Sequence, residues 1–322
     1  MNVLILGLNG FIGNAIAHSA LSKNHQVFGL SRSAVPTQHQ ETVYISGSRS
    51  DSNLVVEIIK NQKIDVLVDV LAMTLSDTQP LLDSVDGRIS QYVMISSSDV
   101  YRNYELFQRK ATGTPTIESL SEDAPLRTTR FPYRAEAPRP QDSADRYLDD
   151  YDKIPIESAT RKILTNWTIL RLPMVYGPGD KQKRFRWAIG PMTSGAREIV
   201  FPKRWLDWHS TYGYVSNVAE AVTLTFGNQK AMNRVFNIGE QPCLSHLEWA
   251  KRIADVIGWQ GKITEGEESN SPLVKATTNL DLTVPFKVSS SRIREELGFR
   301  EIVGPAQALR STIDSDAPET SR

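Results

Sequence analysis

Apolar residues in the first half of the chain fall into short runs, with amphipathic stretches between them. Met1-Asn2-Val3-Leu4-Ile5-Leu6 is the first run, and Ile12, Ile16, Ala17, Ala20 and Leu21 follow it at helical spacing. Further runs of strand length stand at residues 26–30, 43–46, 65–72, 91–95 and 167–171. Residues 65–72 are apolar almost throughout, the mark of a strand buried on both faces. Residues 54–60, introduced by Asp51, read as a helix, and so does a segment carrying Tyr151-Asp152-Lys153 and Glu157. Strand and helix in alternation predict an α/β fold with a doubly wound parallel sheet. Ser245 with Glu248 at capping-box distance starts a further helix that runs to Ile257.

The turn after the first run is rich in glycine: Gly7-Leu8-Asn9-Gly10-Phe11-Ile12-Gly13. Strand, glycine turn and helix in that order are the context of a dinucleotide fingerprint. A pyrophosphate reaches the N–H groups of a helix start only where no Cβ stands in the way. Gly7 permits the tight turn, Gly10 the close approach, and Gly13 the packing of helix on strand.

The G-x-x-G-x-x-G spacing resembles that of the short-chain dehydrogenase/reductase superfamily, in its extended, epimerase/dehydratase-like branch. Other segments carry the same resemblance: Ser96-Ser97-Ser98-Asp99-Val100-Tyr101, Arg171-Leu172-Pro173-Met174-Val175-Tyr176-Gly177-Pro178, Arg234-Val235-Phe236-Asn237-Ile238-Gly239, and residues 289–298. The resemblance implies a Rossmann-type domain over residues 1–172 and a smaller substrate-binding α/β domain over 173–322. Helix 214–227 and strand 234–239 are expected to rejoin the first domain.

For the cofactor, the resemblance implies contacts from Gly7, Asn9, Gly10, Phe11, Ile12, Gly13, Ser31, Arg32, Ser48, Leu71, Ala72, Met73, Lys153, Pro173 and Val175. The second strand ends in Ser31-Arg32, with a guanidinium and no carboxylate for the ribose hydroxyls. That favours NADP(H) over NAD(H). Ser48 stands where relatives have the first Asp of an adenine-binding Gly-Asp-x-x-Asp segment.

Enzymes of this branch use Ser or Thr, Tyr and Lys, with Tyr and Lys one helical turn apart. Ser97 and Lys153 fall at family positions, and Glu157 follows Lys153 as it commonly does in the family. The position four before Lys153 is Asp149, not Tyr. Tyr151, two residues from Lys153, would point to the opposite side of a helix. The break resembles the atypical subgroup that lacks the active-site tyrosine. Proton-donor candidates are therefore Asp149, Tyr147, Tyr133 and Tyr101. Substrate contacts are expected from Asp99, Tyr101, Lys183, Arg184, Trp208 and His209.

Residues 102–150 form a long insertion with little periodicity, and loops of that length are usually functional or disordered. Arg127, Arg130, Arg134 and Arg139 come first, then Asp142, Asp145, Asp149 and Asp150; opposite blocks of this kind can pair and close a lid. The alternative is a solvated segment. Our reading places the insertion in the active-site wall, with one of its tyrosines a better donor than Asp149.

After Gly177 the texture changes. Lys181, Lys183, Arg184 and Arg186 form a basic cluster, and Trp187, Phe201, Trp205, Trp208, Tyr212 and Tyr214 concentrate aromatic side chains.

Composition narrows the classes. Lys plus Arg and Asp plus Glu are 37 each in 322 residues, so no overall field draws the chain to nucleic acid or an anionic surface. Cys243 is the single cysteine, which excludes an internal disulfide framework. His18, His25, His39, His209 and His246 have no metal spacing, and no metal site is expected. No apolar run is long enough for a membrane span. The first run is already a core strand, so no leader and a cytoplasmic location are expected. The oligomeric state, monomer or homodimer, stays open.

Two functions compete. One is an NAD(P)-dependent epimerase, dehydratase or reductase acting on a sugar, sugar nucleotide or similar hydroxylated molecule, phosphate-bearing ones included. The other is a catalytically degenerate dinucleotide-binding protein with a regulatory or RNA-binding role, for which the basic cluster and its aromatics would grip single strands.

Overall fold

The computed structural model describes residues 1–32, 41–266, 277 and 279–316. Ser33, His39 and the polar tail 317–322 lie outside the described residues, as does most of the stretch 267–278. The apolar runs form β1 (Asn2–Leu6), β2 (Gln26–Ser31), β3 (Val43–Ser46), β4 (Val66–Asp69), β5 (Gln91–Ser97) and β6 (Trp167–Leu172). Shorter strands follow: β7 (Met174–Tyr176), β8 (Glu198–Phe201), β9 (Tyr212–Tyr214), β10 (Arg234–Asn237) and β11 (Lys262–Glu265). Seven of them make one parallel sheet in the order β10-β6-β5-β4-β1-β2-β3. The order reverses beside β1, which makes this the Rossmann-type doubly wound fold, with its ligand edge at the carboxyl ends of the strands.

Alternate residues of each strand face opposite ways, so each strand feeds two cores. Val3, Ile5, Val66, Val68, Val93 and Ile95 pack on one face with Ile16 and Ala17 of α1 (Phe11–Ser22). Leu4, Leu6, Leu67, Tyr92 and Met94 pack on the other. That second face is covered by α2 (Ser52–Asn61), α3 (Leu75–Val85) and, beyond the six-residue α4 (Arg102–Phe107) of the insertion, α5 (Lys153–Ile163). Asp51 caps α2 by accepting from the Leu54 N–H at 3.0 Å. The remaining segment adds α6 (Arg186–Thr193), α7 (Lys203–Asp207), α8 (Val215–Thr223) and α9 (His246–Ile257), then helices at Ser291–Leu297 and Pro305–Asp316. The capping box of α9 forms as the sequence reads, with Ser245 and Glu248 bonded reciprocally. Phe185, Tyr212 and Trp249 meet Tyr176 edge to face, and Trp187, Trp205 and Trp208 close around His246. The aromatic concentration after Gly177 is thus core. No helix among the described residues is long and apolar enough to cross a membrane.

One half-buried carboxyl ties β7 to β9. Glu240 accepts from the Tyr214 N–H at 2.9 Å and the Tyr176 hydroxyl at 3.1 Å. Burial outweighs these bonds and lifts its pKa to about 7. The native state therefore favours the protonated form. The contribution to stability is full below the ordinary carboxyl range near 4.3 and is lost as pH rises through 7. Thermal unfolding should show a loss of about 1–2 kcal/mol between pH 6 and pH 8. Glu240→Gln, whose amide oxygen still accepts both bonds, should remove most of that slope in the same melts.

Candidate active site

The glycine turn sits at the centre of the sheet edge. Gly7 has φ +92°, which disfavours any other residue, and its carbonyl accepts from the Gly10 N–H at 3.0 Å. A Cβ on Gly13 would lie 2.1 Å from the Gly7 carbonyl oxygen, so α1 packs on β1 only with glycine there. A Cβ on Gly10 would meet only that oxygen, at 3.3 Å, and otherwise open space. No side chain caps α1, and its first turn holds no acidic residue. Its orphan N–H groups and positive end are left to an anion, which fits a dinucleotide pyrophosphate.

The second turn of the edge carries the next groups. Asn9 donates to the Ser31 hydroxyl at 2.7 Å, and Arg32 is exposed just beyond. Ser48 bonds Ser50 at 2.8 Å. Arg49, which the sequence reading passed over, forks onto Asp69 and also donates to the Asp77 carbonyl and Thr78 hydroxyl. Tyr92 donates to the same Asp69 carboxylate at 2.9 Å. Leu71 is exposed against Gly7, while Ala72 is buried and Met73 half-buried.

Lys153 opens α5. Its ammonium is buried and donates to the Ala72 carbonyl at 2.6 Å and the Ile95 carbonyl at 2.9 Å, with the Met73 sulfur at 3.6 Å. Burial brings its pKa down to about 8 against the opposing charges of Asp99 and Asp69. The Tyr151 ring centroid lies 5.5 Å from its Nζ.

That contact corrects the sequence reading of Tyr151. The helix does not begin at 151. Asp152 is its N-cap, accepting from Ile154 N–H, and Lys153 is the first helical residue. A two-residue separation across a helix start does not follow helical geometry, so Tyr151 and Lys153 meet instead of diverging.

Asp99, in the turn after β5, gathers the phenols. Its Oδ2 accepts from Tyr151 at 2.9 Å and Tyr133 at 3.0 Å, and its Oδ1 has no hydrogen-bond partner among the described residues. Tyr104 donates to Tyr133 at 2.9 Å. Ser97 accepts from the Asp99 N–H at 3.2 Å. Asp99 is 3% exposed, and burial holds its carboxyl above the ordinary range, with Arg127 acting the other way. Burial, and then the Asp99 charge, hold Tyr133 and Tyr151 well above the ordinary phenol range. Both phenols are thus protonated at neutral pH, on a carboxyl able to take up a proton.

The insertion supplies half of this cluster. Arg127 is buried and donates to the Asp99 carbonyl at 3.0 Å, to the Thr129 carbonyl, and to Asp152 at 2.6 Å. Arg130 joins Asp152 at 2.7 Å, Arg134 joins Asp150 at 2.8 Å, and Arg139 joins Asp149. The two charge blocks pair only in part: Arg134 and Arg139 meet Asp150 and Asp149, whereas Arg127 and Arg130 go to Asp152, outside the acidic block.

The other candidates have different surroundings. Asp149 is wrapped by Arg139 and Arg146, which hold it below the usual carboxylate range. Tyr147 is 41% exposed. Tyr101 is fully buried; its hydroxyl donates to Asn237 at 2.7 Å and accepts from Arg171 at 3.0 Å, linking β10 and β6 to the end of β5. Trp208 is buried, donates to the Val284 carbonyl at 2.9 Å and stacks on Phe107. Tyr101 and Trp208, read from sequence as substrate contacts, are therefore core residues. His209 bonds the Asp207 carbonyl at 2.8 Å. Arg184 is turned onto Asp180 and the Val175 carbonyl, while Lys183 is exposed. Pro173 is buried beside Gly213.

Residues 3–79 match the NAD dependent epimerase/dehydratase family. Among curated relatives, the chloroplast stem-loop binding protein of 41 kDa b of Arabidopsis thaliana is 23% identical over 271 residues, which cover 80% of this chain. The match spans 63% of that relative's length. The UDP-glucose 4-epimerase of Thermotoga maritima, solved with UDP-glucose, superposes with TM-score 0.67 at 16% identity, over 98% of each chain. The UDP-glucuronic acid 4-epimerase of Bacillus cereus, solved with UDP-glucuronic acid and NAD, gives TM-score 0.67 at 17% identity, again over 98% of each chain. At these identities the likeness is one of fold.

The glycine geometry yields a direct test. Gly13→Ala forces a methyl group into the Gly7 carbonyl and should cost about 1–3 kcal/mol of stability. It should also weaken NAD(P)H binding at least tenfold by displacing the start of α1. Denaturant unfolding and fluorescence titration read the two effects, and unchanged values in both would remove the turn from the cofactor site.

Proposed function

We propose that the chain is an NAD(P)-dependent epimerase, dehydratase or reductase of the extended short-chain dehydrogenase/reductase type, acting on a sugar nucleotide or similar hydroxylated molecule. Residues 1–172 would hold the cofactor, and 173–322 would face the substrate. The observation that carries this reading is the cluster at the sheet edge: Tyr133 and Tyr151 on one Asp99 oxygen, with buried Lys153 beside Tyr151. The uncapped start of α1, the family match of residues 3–79 and the fold shared with sugar-nucleotide epimerases support it.

A bound nicotinamide would supply the hydride acceptor or donor. The chain supplies the proton chemistry. Tyr133, half-buried, is the phenol we assign to the substrate side. It takes the proton of a substrate hydroxyl while its own proton passes to Asp99. Tyr151, Ser97 and Lys153 hold Asp99 and the floor of the site. Removing a positioned acid or base costs about 10²–10⁴ in rate. Asp99→Asn and Tyr133→Phe should lower kcat by that order, with NAD(P)H affinity held within about twofold. The check is single-turnover absorbance of the bound nicotinamide with UDP-glucose or UDP-glucuronic acid as probe.

The cofactor we assign is NADP(H), on the exposed Arg32 and the absence of a carboxylate at the end of β2. A charge-assisted bond to the 2′-phosphate should favour NADPH over NADH by about 1–2 kcal/mol. Arg32→Ala should erase the difference in calorimetric titrations, and equal affinities in the unmodified protein would refute the assignment.

One observation favours the RNA-binding alternative: the Arabidopsis relative is named for stem-loop binding. The basic cluster gives it partial support, since Lys181, Lys183 and Arg186 are exposed but Arg184 is engaged internally. Salt-dependent binding of a stem-loop RNA, together with no redox change of the bound nicotinamide with any probe, would decide for it.

A further inference from the structure

We infer that Arg139 is a positioning residue that holds Tyr133 against Asp99, with Asp149 as its anchor. The inference rests on the proton role proposed for Tyr133, but its geometry stands apart from that role. Arg139 Nη2 donates to the Tyr133 carbonyl at 3.0 Å. Its Nη1 pairs with Asp149, and its backbone N–H donates to the same carboxylate at 2.8 Å. Arg146 completes the carboxylate at 2.8 Å, and the Asp149 carbonyl accepts from Arg134 at 2.7 Å. One planar guanidinium thus bridges the backbone of Tyr133 to the residue that stands where the family has its tyrosine.

Tyr133 needs such support. It lies between two rungs of the arginine–aspartate ladder, and the inner one is dry: the Arg127 and Asp152 side chains are 0% and 1% exposed. The rung just beyond Tyr133 is wet, with Arg134 47% and Asp150 56% exposed, so salt and water weaken it. Asp149 is covered again, with its side chain 5% exposed. Phe131, two residues before Tyr133, has φ +52°, a left-handed conformation costly for a phenylalanine. Lys110 on the Pro132 carbonyl and the Phe131 N–H on Asp152 hold the turn before Tyr133, and the Asp149–Arg139 contact, with side chains 5% and 25% exposed, is the fixture that reaches the Tyr133 backbone itself. Asp149, with cations on both oxygens, is an anchor and not a proton donor.

The groups facing Tyr133 are Asp99, Tyr104 and Tyr151, and Arg127 and Lys153 act on it through Asp99. The test uses the full chain with ring-labelled tyrosine and carbon NMR, the Tyr133 resonance being assigned with Tyr133→Phe. In the unmodified protein that resonance should titrate well above the ordinary phenol range, held there by burial and the Asp99 charge. In Arg139→Ala it should titrate near the ordinary phenol value of about 10. Arg139→Lys, which keeps the charge but lacks the fork, should resemble Arg139→Ala. Arg146→Ala, which removes a cation from Asp149 without touching Tyr133, should resemble the unmodified protein. A Tyr133 resonance unmoved in both Arg139 variants overturns the inference, and so does an equal disturbance in Arg146→Ala. If Arg139→Ala does not fold, Arg139→Lys decides alone. In the hydride-transfer assay, Arg139→Ala should lower kcat at least tenfold at unchanged KM, and adding Tyr133→Phe should lower it no further than Tyr133→Phe alone. An Asp99→Asn variant with unchanged kcat would end the proposed proton chemistry, while the NMR comparison would still judge the positioning.

Discussion

The Arg127–Asp152 ion pair is the contact on which the site depends. Asp152 caps α5 and so fixes where Lys153 begins the helix. Arg127 belongs to the insertion and also bonds the Asp99 carbonyl, so one guanidinium sets the helix start, the turn after β5 and the entry to the Tyr133 loop. Both side chains are almost fully buried. Burying two charges gains little net stability over apolar packing, but removing one partner strands the other and costs about 3–5 kcal/mol. Such a pair specifies an arrangement more than it stabilises the fold. What it specifies here is that Tyr133, Tyr151, Asp99 and Lys153 share one edge of the sheet.

The fold was legible in the sequence because it rests on local signals that agree. Short apolar runs, helical spacing between them and the glycine turn after β1 all point to a doubly wound parallel sheet, and the strands lie where those runs are. The site was legible only in part. Lys153 and Ser97 were candidates by resemblance, and Tyr133 and Tyr147 equally by their place in the insertion. Tyr151 was misread because helical spacing was extended across a helix start. A local signal against that was present: Asp152 with Pro155 three residues on suits an N-cap and a proline in the first turn, where its missing N–H is not needed. Arg127 and Arg49 were not legible. Their roles depend on which carboxylates the fold brings to them, 25 and 20 residues away along the chain, and charge pattern does not encode such pairing.

The insertion shows how a long loop without periodicity becomes ordered. It has few apolar side chains to bury, and polar contacts tie it down in their place. Glu105 accepts from the Thr128 and Thr129 N–H groups at 2.9 and 2.8 Å, and Asn103 bonds the Thr116 and Pro285 carbonyls at 2.8 and 2.9 Å. Each bond to a charged or buried group contributes modestly, but leaving such a group unmet is expensive. The loop is therefore held by the cost of the alternatives, and its shape is fixed while its contacts stay polar.

The distribution of buried charge carries the argument one step further. Among the described residues, three ion pairs have both side chains no more than 10% exposed: Arg49–Asp69, Arg127–Asp152 and Arg171–Glu157. Asp69 ends β4, Arg127 sits on the turn after β5, and Arg171 is next to last in β6. All three therefore lie at the carboxyl ends of the central strands, the edge where doubly wound sheets bind their ligands. Glu157 also accepts from Ser96 at 2.7 Å, one residue before Ser97, and Arg171 reaches the Tyr101 hydroxyl. The pairs thus form a polar layer beneath Ser97 and Asp99 and along the rim toward the glycine turn. Apolar side chains would fill that volume with less desolvation, but they would not fix the orientation of the hydroxyls and carboxyls above them. Desolvated charge placed under one edge, with apolar cores on both faces of the sheet, sets that edge apart from the rest of the fold.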